Sequence, residues 1–182
     1  MANYLITGGS GLVGSALAAY LVDSGQEVTI LSRNPARQGV DTNRIRYKHW
    51  DPYNETIDET AIREADYIIH LAGANVAEKR WTAKRKQEIL ESRVQSGRFL
   101  AATLKSIPNQ VKAFLGASAQ GWYGPDPIVP NPTPFLESDP SYPDFLGNTC
   151  RAWEESVQSV QMLGIRLIQL RIGIVMSLRG GA

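Results

Sequence analysis

The feature that most constrains this chain is the run Thr7-Gly8-Gly9-Ser10-Gly11-Leu12-Val13-Gly14, which follows the short β-prone stretch Tyr4 to Thr7 and leads straight into a segment of helical period. Glycine lacks a Cβ, so the backbone turns there at angles other residues resist, and two elements approach each other backbone to backbone. A turn of this kind sets the start of a helix directly over the end of a strand. The first-turn N–H groups of that helix have no partner within it and point out of the turn at its positive end. The helix then carries the chain back to lay down a second strand parallel to the first.

The rest of the chain keeps that rhythm. Six apolar, β-prone runs, Tyr4 to Thr7, Glu27 to Ser32, Ile45 to Trp50, Tyr67 to Ala72, Ala113 to Ser118 and Arg166 to Ile172, alternate with longer segments. Several are apolar almost throughout, as strands covered on both faces are. Helical spacing predicts a helix over Leu12 to Ser24, with Val13, Leu17 and Tyr20 on its inner face and Gly25 as its stop. A longer one runs from Thr82 to Lys105, its stripe being Leu90, Val94, Gly97, Ala101 and Leu104, with Thr82 as N-cap. A third starts near Asp144 and carries Leu146, Cys150, Trp153, Val157 and Val160, and Gly164 precedes the last strand. Right-handed crossovers then give a doubly wound parallel sheet of order 3-2-1-4-5-6, an α/β domain of the Rossmann type. The stretch Gly124 to Pro143 holds seven prolines, so it reads as a surface loop over the carboxyl ends of the strands, where ligands bind in this architecture.

A length of 182 residues suits one domain over 1–182. Nineteen Lys and Arg against 18 Asp and Glu leave a formal charge of +1, which provides no general field for nucleic acid or an anionic membrane. No apolar stretch approaches the roughly 18 residues of a membrane span. The single cysteine, Cys150, and the absence of a charged or apolar leader read as cytoplasmic. His49 and His70 lack partners at ligand spacing, so no metal site is expected.

Glycines spaced 8, 11, 14 or 9, 11, 14, between a strand and a helix, suit a dinucleotide pyrophosphate resting on amides from Gly9 to Val13. The end of the second strand decides which dinucleotide. An acid there would accept the adenine-ribose hydroxyls, but Ser32 and Arg33 stand in its place and no carboxylate follows until Asp41. Arg33 and Arg37 offer guanidinium groups suited to a 2′-phosphate, so NADP is preferred to NAD.

With the glycine run, Leu71-Ala72-Gly73 after the fourth strand, and Ser118 followed by Tyr123-Gly124 after the fifth, the chain resembles the extended short-chain dehydrogenases/reductases over its whole length. Further blocks are similar to the subgroup of NAD-dependent epimerase/dehydratase-like, sugar-nucleotide-epimerase proteins: Leu71 to Asn75, Lys79 to Thr82, Ser92 to Val94, Cys150 to Glu154 and Arg179 to Ala182. The resemblance implies that Leu71, Ala72 and Gly73 pass the adenosine and ribose side of the cofactor. It also implies that Asp51 lies near the adenine and Ser118 beside the nicotinamide.

The wider family pairs that serine with Tyr-x-x-x-Lys, and aligning Glu154 with the glutamate that follows the motif puts Leu146 and Cys150 at those positions. A leucine moves no proton, and losing a placed acid or base removes about 10² to 10⁴ of rate. The proton is therefore assigned first to Tyr123, with Tyr142 or a segment past Ala182 as alternatives. Extended members continue into a smaller substrate domain, so an open cleft is expected here. The resemblance implies an NADP-dependent oxidoreductase or epimerase-like enzyme for a small polar or sugar-nucleotide substrate, with a homodimer through the two long helices. Its rival is a non-catalytic NADP-binding sensor or partner-binding protein. Lys79, Arg80, Lys84, Arg85 and Lys86 read as a solvated helix face rather than a contact for a phosphorylated substrate, and the pairs Glu78 and Glu88, and Glu154 and Glu155, as solvent-facing. Arg93 either faces the site or makes a structural ion pair.

Overall fold

The computed structural model describes residues 1–35, 44–177 and 180–181. In chain order the elements are β1 (Asn3–Thr7), α1 (Leu12–Asp23), β2 (Glu27–Ser32), β3 (Ile45–Asp51), β4 (Thr56–Ile57), α2 (Glu59–Glu64), β5 (Tyr67–His70), α3 (Ala83–Ser106), β6 (Ala113–Ala119), α4 (Phe145–Ser156), β7 (Arg166–Ile172), β8 (Met176–Ser177) and β9 (Gly180–Gly181). The main sheet runs β4-β3-β2-β1-β5-β6-β7. Its six long strands are parallel and in the expected 3-2-1-4-5-6 order, with β4 added antiparallel at one edge.

Each central strand divides its side chains between two cores, as the period of two requires. Leu5, Leu31 and Ile68 join one buried cluster with Ile62 of α2, Leu100 and Leu104 of α3, and Val157. Ile6, Ile30 and Ile69 join the other with Ala18 and Leu21 of α1. Ile6 lies opposite Ile30 on one side and Ile69 on the other, so the second core is a layer across three strands. A side chain of this size, fully buried, contributes roughly 1.5–3 kcal/mol, so the register is strongly fixed.

The inner face of α1 is Gly14, Ala18 and Leu21, one position on from the expected stripe. Val13 and Tyr20 are exposed instead. The cause is close packing of Gly14 on the turn, which rotates the helix so that its small residues face the sheet. In α3, Gly97, Ala101 and Leu104 are buried as expected, but Ile89 and Leu100 take the inner places given to Leu90 and Val94. Thr82 caps this helix, accepting from the Arg85 amide at 3.2 Å, and Asp144 caps α4, accepting from the Gly147 amide at 2.7 Å. After Ser156 the chain tightens into a 3-10 turn over Gln158–Leu163 that still buries Val160. Gly164, at φ 77°, ends it.

The proline-rich stretch 124–143 has no helix or strand. It is tied to the sheet's carboxyl edge through Trp122, whose indole N–H donates to the Asp139 carbonyl at 2.8 Å. Arg171 of β7 adds a second tie, donating to the Glu137 carbonyl at 3.1 Å. Among the described residues no helix is long and apolar enough to cross a membrane, and no three metal-ligating side chains cluster.

Candidate cofactor site

A cleft of about 480 Å³ opens at the carboxyl ends of β1, β2 and β5. Three of the turn glycines are required for three different reasons. At Gly8 the backbone is left-handed, with φ +68°, and a Cβ would lie 2.9 Å from the Leu71 carbonyl. At Gly9 it would meet Ile30 Cγ2 at 2.7 Å, and at Gly14 the Gly8 carbonyl oxygen at 2.3 Å. The first contact lets two cleft-lining backbones touch, the second lets the turn rest on β2, and the third lets α1 descend onto the turn.

The Gly11 amide closes the turn by donating to the Gly8 carbonyl at 3.0 Å, so it is not among the amides available to a ligand. Gly11 is also the N-cap of α1 and supplies no side-chain acceptor, and the first turn holds no acid. The Leu12 and Val13 amides therefore lie at the positive end of a twelve-residue helix with no carboxylate competing for them. Gly8, Ser10 and Gly11 line the cleft. This cradle of uncontested amides at the positive helix end fits a diphosphate.

Across from it run Leu71, Ala72 and Gly73, also on the cleft wall. Past His70 the Leu71 amide is shared between the Thr7 carbonyl and Thr7 Oγ1, and the Ala72 amide donates to Thr7 Oγ1, at 3.2 Å each. With two bonds accepted, the Thr7 hydroxyl proton goes to His70 Nδ1, 2.7 Å away. His70 Nε2 then carries the ring proton and donates to Ser96 Oγ at 3.3 Å, which itself donates to the Ser92 carbonyl at 2.7 Å. The chain of donors assigns the tautomer. Burial, with a smaller contribution from the Arg93 charge, lowers the His70 pKa from 6.5 to about 4, so the ring is neutral and the network intact near neutrality.

At the end of the cleft formed by β2 and β3, Ser32, Arg33 and Asn34 line one side, and Trp50, Pro52 and Tyr53 the other. Ser32 Oγ accepts from the Asn34 amide at 3.1 Å. Asp51, expected beside the adenine, is not on the wall. Its carboxylate is turned into its own loop, accepting from Asn54 Nδ2 at 2.8 Å and the Tyr53 amide at 3.0 Å. The Asn54 side chain holds its pKa below the usual carboxylate value. Arg37 lies outside the described residues.

The α3 side of the cleft departs from the sequence reading. Arg85 is no solvated charge. Its side chain is only 5% exposed and is clamped between Glu78 at 2.9 Å and Glu88 at 2.8 Å, and it also donates to the Asn75 carbonyl at 2.5 Å. Glu78 and Glu88 stand on the cleft wall. Helical periodicity alone did not reveal this, because Glu78 precedes the helix and its partnership with Arg85 is tertiary. Arg93 makes no ion pair with any described carboxylate. It donates from Nη1 to the carbonyls of Ala74 at 3.0 Å and Ile89 at 2.9 Å.

Ser118 and Tyr123 lie beyond this wall. Ser118, at the end of β6, is 2% exposed and its Oγ has no hydrogen-bond partner. It neighbours Cys150, whose buried thiol donates to the Ala119 carbonyl at 3.6 Å and is pushed above its ordinary pKa by burial. Leu146 packs on Gly121, so both residues at the Tyr and Lys positions serve the α4 interface. Tyr123 stacks on Phe135, with ring centroids 5.0 Å apart, and its hydroxyl accepts from Arg171 Nη1 at 3.0 Å. Arg171 also forks onto Glu154 at 2.9 and 3.2 Å and covers Trp122 at 3.7 Å, so Glu154 is a buried ion-pair partner and not solvent-facing as expected. Tyr142 is exposed on the same loop, where its backbone amide donates to the Trp122 carbonyl at 2.7 Å.

Comparison with known proteins places these features. An "Epimerase family protein" of Staphylococcus aureus (strain NCTC 8325 / PS 47) is 37% identical over all of this chain, which spans 58% of that relative's length. Among solved structures, the nucleoside-diphosphate sugar epimerase from Corynebacterium glutamicum superposes with TM-score 0.75 and 32% identity, over 99% of this chain and 35% of that one. The human epimerase family protein SDR39U1 (isoform 2), solved with NADPH, gives TM-score 0.76 and 25% identity, over 99% of this chain and 56% of its own. The model of the NAD dependent epimerase/dehydratase family matches residues 4–162, and with that match across most of its length the chain belongs to this family.

Proposed function

We propose that the chain binds NADP(H) in preference to NAD(H) and contributes the cofactor half of an oxidoreductase or epimerase-like enzyme acting on a hydroxyl or carbonyl of a small polar or sugar-nucleotide substrate. One observation carries the cofactor preference. Arg33 stands on the cleft wall at the end of β2, whereas the nearby Asp51 has its carboxylate occupied by its own loop. A guanidinium there suits a 2′-phosphate, and among the described residues at that strand end no carboxylate is free to take a ribose diol. The human relative solved with NADPH supports the same choice.

When bound, the nicotinamide accepts or supplies a hydride. The remaining work falls to side chains. Ser118 Oγ borders the Cys150 thiol and has no stronger partner, which leaves its hydroxyl able to turn to a reacting oxygen once that oxygen reaches it. Tyr123 accepts from Arg171, so its own proton is left to give. A second reading, a non-catalytic NADP-binding sensor, is favoured by the burial of Ser118. A reducing cytoplasmic setting suits the lone thiol, and a homodimer through α3 and α4 completes the proposal.

Fluorescence titration tests the cofactor claim. Arg33→Ser should weaken NADPH roughly tenfold, the size of one charge-assisted contact, and leave NADH unchanged. Equal or tighter NADH binding by the unaltered protein refutes it. Single-turnover oxidation of bound NADPH by a panel of carbonyl compounds separates enzyme from sensor, with Ser118→Ala and Tyr123→Phe each expected to slow it.

A further inference from the structure

Among the described residues, Arg93 is a charge without a carboxylate partner. It lies on the inner part of α3, directly behind Gly73, where a Cβ would come within 3.0 Å of its Cζ. The guanidinium packs over the Trp153 ring, 4.8 Å from its centroid. Burial lowers its pKa from 12.5 to about 10, against a small opposing influence of Cys150. No described carboxylate pairs with it, and its hydrogen bonds to Ala74 and Ile89 both leave from Nη1. Nη2 and Nε make no such bond to a described residue, yet neither is among the sealed, unpartnered polar atoms of the described residues, Arg85 Nε, Ser118 Oγ and Trp153 Nε1. The Nε/Nη2 edge is therefore not sealed off. That edge is the planar, two-donor face that matches an oxyanion side-on.

Its place in the fold says which ligand would use it. Gly73 continues from β5 and lines the cofactor cleft, while Trp153 and Cys150 belong to α4, which packs on the end of β6. Arg93 is not itself on the cleft wall; its guanidinium lies directly behind that wall at Gly73, between it and Trp153 of α4. An isolated, desolvated cation is costly, and a protein keeps one cheaply only where an anion arrives to balance it.

We propose that Arg93 binds an oxyanion of the substrate, a carboxylate or a phosphoryl group, side-on through Nε and Nη2, and so fixes the substrate's orientation at the inner end of the cleft. The site is built by Gly73, whose missing side chain admits the guanidinium, and by Trp153, which holds its plane. It deepens the enzyme reading given above, but its test does not need turnover.

The test uses three probes with one ring and three substituents: glucuronate, glucose 6-phosphate and glucose. Each is titrated into protein saturated with NADPH and, separately, into protein without it, and binding is read from the shift of the Arg93 Nε–H resonance and from calorimetry. At least one anionic probe should bind roughly ten- to a hundredfold tighter than glucose, the range of a charge-assisted pair, and should move that resonance. Arg93→Met should abolish the preference. Arg93→Lys should lose more of it for the planar carboxylate than for phosphate, since a point charge still suits the latter. Three equal affinities, an unmoved resonance with the anion bound, or a preference retained in Arg93→Met would each overturn the proposal. The wild-type resonance needs no variant to fold. Failure of NADPH to bind while the anion preference persists would refute the cofactor reading and leave this one standing.

Discussion

Gly14→Ala is the sharpest perturbation of the candidate site, because it adds one methyl group where the backbone of the turn already is. The new Cβ would lie 2.3 Å from the Gly8 carbonyl oxygen and 2.8 Å from the Gly9 Cα. Neither is a flexible side-chain end, so α1 must withdraw from the turn by about 1 Å to restore contact distance in a close-packed interface. Overpacking of this kind costs roughly 1–3 kcal/mol, and the better helix propensity of Ala returns about 1. The net loss is therefore about 1 kcal/mol, or a fall in Tm of roughly 2–4 °C for a chain of this size. Binding should suffer far more, since the displaced Leu12 and Val13 amides are the groups proposed to face the diphosphate. We expect NADPH affinity to fall at least tenfold. Gly25→Ala is the control. Its φ is +81° and nothing lies within 4 Å of the added Cβ, so it should cost about 1 kcal/mol of backbone strain and leave affinity alone. Urea denaturation and NADPH fluorescence titration measure the two quantities. Wild-type affinity in Gly14→Ala, or an equal loss in Gly25→Ala, would refute the reasoning.

Further outcomes are expected elsewhere. His70 has its pKa lowered from 6.5 to about 4 in the folded protein, so the unfolded chain binds the proton more readily and stability present above pH 6.5 is lost as pH falls toward 4. The loss should approach about 3 kcal/mol, and urea midpoints across that interval should fall steeply before the carboxylates titrate; a flat profile would exclude a neutral buried ring. The Glu154–Arg171 pair is largely buried, with side chains 8% and 15% exposed, and Arg171 keeps its charge because Glu154 and Tyr123 more than offset its desolvation. Glu154→Gln should thus cost about 3 kcal/mol or more, with part recovered in Glu154→Leu/Arg171→Met by thermal denaturation. Asp144→Ala removes the α4 cap and should cost about 1 kcal/mol by the same measurement.

The sequence signals that proved legible are those that follow from backbone periodicity and glycine. The strands of the parallel sheet announce themselves because both faces are covered, and the turn announces itself because three of its glycines are sterically obligatory. Elements too short for a period escaped: β4 has two residues and α2 six, and α2 is marked only by the Asp58 cap, which accepts from the Thr60 amide at 3.0 Å. Partnerships between distant residues escaped as well. Arg85 stands in a run of basic residues, and nothing local distinguishes it from Lys84 or Lys86, yet its Glu78 clamp buries it. Asp51 occupies the expected strand end, but an asparagine three residues on claims its carboxylate.

Two stretches of the cleft wall, the glycine turn and Leu71 to Gly73, are each backed by side chains from another element. Ile30 of β2 lies under Gly9, Thr7 holds the Leu71 and Ala72 amides, and Arg93 fills the space behind Gly73. Behind Thr7 stand His70 and then Ser96, so α3 reaches the glycine turn's neighbour through three consecutive hydrogen-bonding side chains. Backbone donors need no rotamer to be frozen when a ligand arrives, provided something fixes the backbone. The consequence is that affinity should be governed from behind the wall: substitutions at Ile30, Thr7 or His70, none of which supplies a group to the cleft surface, should move cofactor binding more than substitutions at the exposed Ser10, which does.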